Sequence, residues 1–391
     1  MKADTGFSLV ELLLASGIGL LLVATALVLT SQAEGTFQAQ PEAADMQQRL
    51  RVAIDAVTKD LMMAGAGMDL GAAAGPLDHF FAPVLPYRIG AWQPGEPGSF
   101  DTRVISIVFV PQGAPQTTTM DSLVGATSDV RIKLGAGCPV TDTLCGFREE
   151  MGAVVFDDSG AHDFFTVRAA AGQTLGLELR GSQLSRAYGA GAHIAQVSVD
   201  TFYLKSDPPS GAFQLAHYDG FRSDMPMTDQ VVDLAFEYYG EPRPPAIVRA
   251  LSEADGPWTT YGPKPPESEV DDPRDAWPAG ENCVFALVGG SHVPRLADLN
   301  PGADGLVHLE PAILRDGPWC PDAGVPGRFD ADLLRVRQIV VTMRVQVASS
   351  ALRGPAGVLF ARGGISKGGE RFVPDQEIRF DVTPRNLNLD R

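Results

Sequence analysis

The stretch from Thr5 to Leu29, "TGFSLVELLLASGIGLLLVATALVL", decides the architecture of this chain. Between Phe7 and Leu29 it holds a single charged residue, Glu11, in an otherwise apolar run. At about 1.5 Å per helical residue such a run reaches roughly 34 Å, enough to cross a hydrocarbon core. A secretory signal has a basic start, a shorter apolar core and a small-residue cleavage site after it. Here the polar head "MKADTG" is brief, the run is long, and no such site comes after it. The stretch therefore reads as a membrane span. Lys2 lies on its short side, which the positive-inside tendency places in the cytoplasm, so the rest of the chain is expected beyond the inner membrane. Glu11 is the anomaly: a charge within a span costs roughly 2–3 kcal/mol on insertion scales and requires a partner.

Beyond the span the chain has the material for a sizeable core, with 391 residues of which 45% are hydrophobic. A formal charge of -17 argues against a nucleic-acid partner, because phosphate binding needs a concentrated Lys/Arg surface. The four cysteines fall in two local sets, Cys138 with Cys145 and Cys283 with Cys320. An even number beyond a membrane segment favours disulfides in an oxidising compartment over free thiols. Zinc is disfavoured, since Cys138 and Cys145 are too far apart for the usual knuckle and neither set has a nearby His at ligand spacing.

Past the span, "MQQRLRVAIDAVTKDLMMAGAG" keeps helical periodicity, with Met46, Leu50, Ile54, Val57 and Leu61 recurring at three- and four-residue steps. Gly35 and Pro41 lie between the two helical stretches as points where the rod bends or breaks. After Pro76 the pattern changes to period two. Strands are expected over 104–110, 129–134, 153–167 with a hairpin turn at Asp157, 175–179, 194–205, 213–218 and 231–239, with one long strand and one or two more near the end. The Pro-rich segment 240–329 reads as an extended loop or an elaborated insertion, suited by its length to display. The expected class is α+β: a long N-terminal helix, membrane-spanning and then amphipathic, packed on a mainly antiparallel sheet.

Taken together, "GFSLVELLLASGIGL" resembles the processing signal of type IV pilins and type II secretion pseudopilins: a short leader ending in Gly6, then Phe7, with Glu11 fifth in the would-be mature chain. The resemblance implies cleavage by a prepilin peptidase between Gly6 and Phe7, N-methylation of Phe7, and Glu11 as the acid that pairs with a neighbour's amino terminus during assembly. Further along, "DLMMAGAG" at the helix end, then "QVSVDTFYL", "VVDLAFEYYG", "LRVRQIVVTMRVQV" and "RFDVTPRNLNL" resemble PilW-type minor pilins and the related J-type pseudopilins. This resemblance implies a pilin-like protein with a leader at 1–6, an assembly helix at 7–66 and a β-rich periplasmic or extracellular head at 67–391. The implied partners are prepilin peptidase, other minor and major pilins, the inner-membrane assembly platform, and membrane lipid before assembly. A J-type pseudopilin of type II secretion is the alternative within the family; a single-pass membrane-anchored binding protein is the alternative outside it.

No catalytic, cofactor or metal site is expected. Asp298, Asn300 and Asp304 in "DLNPGADG" faintly resemble a calcium loop, but Ala303 stands where the loop needs Gly and Leu309 where it needs Glu, so a turn is the better reading. "VDDPRD" from Val270 reads as a solvated acidic loop. Ser291 and His292 are adjacent, and adjacent side chains on a strand point to opposite faces, which rules out a dyad there. "GISKGG" around Lys367 lacks the context of a phosphate loop and reads as a turn.

Overall fold

A computed structural model describes residues 8–67, 81–86, 101–135, 138–157, 161–181, 184–207, 212–220, 223–245, 261–262, 265, 277–302, 304–321, 328–366 and 372–388. Its first element is one α-helix, α1 (Leu9–Leu61), which continues through Pro41. Of the bend or break expected there, the break does not occur. The chain divides into two compact units, Met1–Arg51 with Arg344–Gln376, and Val52–Met343 with Glu377–Arg391.

In the first unit, none of the span Leu9–Val28 is buried, whereas Met46 later in the helix is. The Glu42 carboxylate accepts the Ala348 backbone N–H at 3.1 Å. Asp375 organises the rest of the returning segment. Its carboxylate accepts from Arg344 at 2.9 Å, from the Gln346 amide at 3.0 Å and from the Ala361 N–H at 2.6 Å.

The second unit begins with the last turns of α1, where Ala53, Val57 and Leu61 form a fully buried stripe. Two short strands come next, β1 (Val84–Leu85) and β2 (Ile105–Phe109). The chain then leaves for a separate sheet made of β3 (Gln116–Thr118), β4 (Thr127–Arg131), β5 (Gly152–Phe156), β6 (His162–Ala171), β7 (Thr174–Leu179) and β8 (His193–Gln196). Their order is β3-β8-β5-β6-β7-β4, antiparallel throughout. The two outer strands then meet: Thr119 bridges Ile132, the Met120 N–H donates to the Arg131 carbonyl, and the Lys133 N–H donates to the Thr118 carbonyl. The sheet thus closes into a six-stranded barrel. Its filling obeys the two-residue period, with Ala153 and Val155, Phe165 and Val167, and Leu175, Leu177 and Leu179 all in one buried cluster with Phe147 and Tyr188.

From the barrel the chain returns as β9 (Ser198–Asp207), which pairs with β2, then β10 (Ala212–Tyr218) and β11 (Asp224–Asp229). These complete a five-stranded antiparallel sheet in the order β1-β2-β9-β10-β11. The continuous strand expected over 194–205 is two strands in two different sheets, divided at Val197. Alternation carried no sign of the division, because Val197 is itself buried and keeps the apolar pattern running.

A third sheet holds β12 (Val231–Gly240). Within the Pro-rich segment lie the hairpin β13 (Phe285–Val288) and β14 (Ser291–Pro294), then β15 (Val307–Leu309) and β16 (Trp319–Cys320). β17 (Phe329–Asp330) pairs with β16, and β18 (Val336–Val345) and β19 (Gln376–Val382) complete the element order β15-β12-β18-β19. The described residues of 240–329 thus supply an edge strand and a hairpin, with Gly240 opposite Val307. Several antiparallel sheets therefore replace the single sheet expected, and the α+β class stands.

Candidate functional site

The head of α1 is the first place where the sequence concentrates function. Leu9, Val10, Leu12, Leu13 and Leu14 are all exposed, between 62% and 78%, so this apolar surface is uncovered by the described residues. Among the described residues this is the one helical segment long and apolar enough to cross a bilayer. Ser8 and Glu11 form a reciprocal cap. The Ser8 backbone N–H donates to the Glu11 carboxylate at 3.1 Å, and the Glu11 N–H donates to the Ser8 hydroxyl at 3.2 Å. Two of the amide donors orphaned at a helix start are satisfied this way, and the carboxylate also faces the positive end of the helix dipole. The spacing S-x-x-E carries that cap in the sequence. Gly6 and Phe7 lie outside the described residues.

All four cysteines are paired as their local grouping suggests. Cys138 is bonded to Cys145, and Cys283 to Cys320. Cys145 is buried against the barrel cluster, and Cys283 and Cys320 are both fully buried.

The remaining described candidates bond locally. His292 bonds the Gly280 carbonyl at 2.8 Å, on the hairpin strand it shares with Ser291. Asp298 accepts the Asn300 N–H at 3.2 Å, the local turn expected of "DLNPGADG". The acidic stretch from Val270 to Asp275 and Lys367 lie outside the described residues.

One cluster went unread in the sequence. Asp60, from the last turn of α1, Asp200 of β9 and His217 of β10 bring one donor atom each to within 4.8 Å of one another. The sheet register explains the pair. His217 lies opposite Phe202, so Asp200 is its diagonal neighbour on the same face, beside the buried Ile107 with which Asp200 is paired. His217 Nε2 and Asp200 Oδ1 are 2.9 Å apart. Asp60 joins them because it lies three residues after Val57, on the buried stripe. Burial, with Asp200 second, pushes the Asp60 carboxyl above its ordinary value. The hydrogen bond to Asp200 raises His217 above its own.

No protein-family model matches this chain, and none of the curated proteins compared with it matches either.

Proposed function

We propose that the chain is the precursor of a PilW-like minor pilin, a structural subunit cleaved between Gly6 and Phe7 and built through its N-terminal helix into a type IV pilus near the tip. The observation that carries this reading is the register of Gly6, Phe7 and Glu11 at the head of an exposed apolar helix. Cleavage would free an ammonium on Phe7, at the depth where a neighbouring helix of the same kind presents Glu11. Each charge neutralises the other in a medium that penalises both. Until then Glu11 has the Ser8 N–H as its partner. An incoming ammonium brings a full opposite charge where the Ser8 N–H brings only a dipole, so it can replace that cap without leaving the acid bare. The partners this implies are prepilin peptidase, the major and other minor pilins, and the assembly platform.

Two measurements test the reading. Mass spectrometry of the mature chain is expected to find N-methylated Phe7 as the first residue; an intact Met1 in cells with active prepilin peptidase overturns the family reading. Glu11→Ala is expected to be cleaved normally yet to be lost from purified fibres. Normal incorporation of that variant refutes the charge-pair role while leaving the processing claim standing.

A further inference from the structure

We propose that Asp60, Asp200 and His217 form a binding site for a single divalent transition cation of the zinc class, which clasps the last turn of α1 to β9 and β10. The inference is independent of the assembly reading. One helix and two paired strands converge here, so the cluster is a product of tertiary packing and not of a local acidic run. The donor set is one imidazole and two carboxylates. Imidazole selects against calcium and magnesium, which take all-oxygen shells, and favours zinc among the available first-row ions.

Two observations point to a missing cation. The first is the charge count: two carboxylates meet one imidazole in the cluster, and His217 already bonds Asp200. The second is position: Asp60 stays partly exposed beside the His217–Asp200 pair, open to an ion from solution. The spacing suits one. Donors around a tetrahedral zinc stand about 3.3 Å apart for bonds of about 2.0 Å. The His217–Asp200 separation of 2.9 Å then opens slightly while Asp60 closes in. Three protein ligands leave the fourth position to water.

The test uses the full chain in detergent after treatment with a chelator, titrated with zinc chloride in a calorimeter. One ion per chain is expected. Asp60→Asn and His217→Gln are each expected to weaken it by more than the roughly 10–100-fold typical of changes outside the ligand shell. His308→Gln, which alters a separate His–Glu pair of β15 and its flank, is expected to bind as the wild type does. Absence of stoichiometric uptake overturns the proposal, and so does unchanged binding by both site variants. Should either variant fail to fold, the wild-type cobalt(II) spectrum decides: tetrahedral bands that zinc abolishes support the site, and the spectrum of the free aquo ion refutes it.

Discussion

Arg335 shows what one buried side chain does for the insertion. Its guanidinium is fully buried and donates to the carbonyls of Pro242 at 2.9 Å and Ala297 at 2.6 Å, both within the Pro-rich segment. Arg335 Nε also lies 2.5 Å from Asp332 Oδ1, an ion contact that lacks the alignment of a hydrogen bond. Nearby, Asp330 accepts the N–H groups of Gly317 and Asp332, yet burial outweighs both and pushes its carboxyl up to about 7. The native state therefore holds a proton on Asp330 across the interval from its ordinary value to about 7, where the unfolded chain has released it. The contribution of this group to stability is full below the unfolded value and is lost as the pH rises through about 7. Urea unfolding from about pH 4 to about pH 8 should show the wild type losing stability relative to Asp330→Asn as the pH rises; parallel profiles would refute the assignment. None of this was legible in the sequence, where Asp330 and Asp332 are two more acids in an acidic chain. Asp60 was half legible. Its place three residues after Val57 marks the buried stripe, but only the sheet register brings Asp200 and His217 to meet it.

At the scale of elements, the sequence shows what depends on local chemistry. The apolar run of α1, the β5–β6 pairing around Asp157 and the alternating β10, β12 and β18 are all where periodicity puts them. β11 escaped because "DMPMTD" is short, acidic and contains Pro226, which an edge strand tolerates and an inner strand does not. Pro41 misled in the opposite direction, since a proline within a helix removes one backbone bond and the neighbouring turns here still continue it. Barrel closure is the clearest loss. It depends on Thr119 meeting Ile132 across strands at opposite edges of the sheet, and no local pattern encodes that meeting. Phe165 is fully buried inside the barrel, so Phe165→Ala should destabilise the protein by roughly 3–5 kcal/mol in chemical denaturation. A cost near that of a surface substitution would mean that the strands do not close around it.

For the whole molecule, stability depends on covalent staples as well as on apolar burial. Cys283 and Cys320 are 37 residues apart, and closing that loop restricts the unfolded chain by about 4 kcal/mol in the loop-entropy treatment. The Cys138–Cys145 loop spans 7 residues and contributes about 2 kcal/mol on the same basis. Replacing Cys283 and Cys320 together by Ala should therefore lower the unfolding free energy by roughly 2–5 kcal/mol, and replacing Cys138 and Cys145 should lower it less. Equal losses would show that strain or residual structure, and not loop length, governs the effect. The barrel has a different consequence for the same molecule. The chain departs for it just after Phe109 and comes back at Ser198, and those two residues face each other across the β2–β9 ladder. Entry and exit are thus side by side, as the two ends of an ordinary hairpin turn would be. In the terms of protein evolution this is a graft point: a domain of almost any length can be gained or exchanged there without shifting the register of the sheet that carries it.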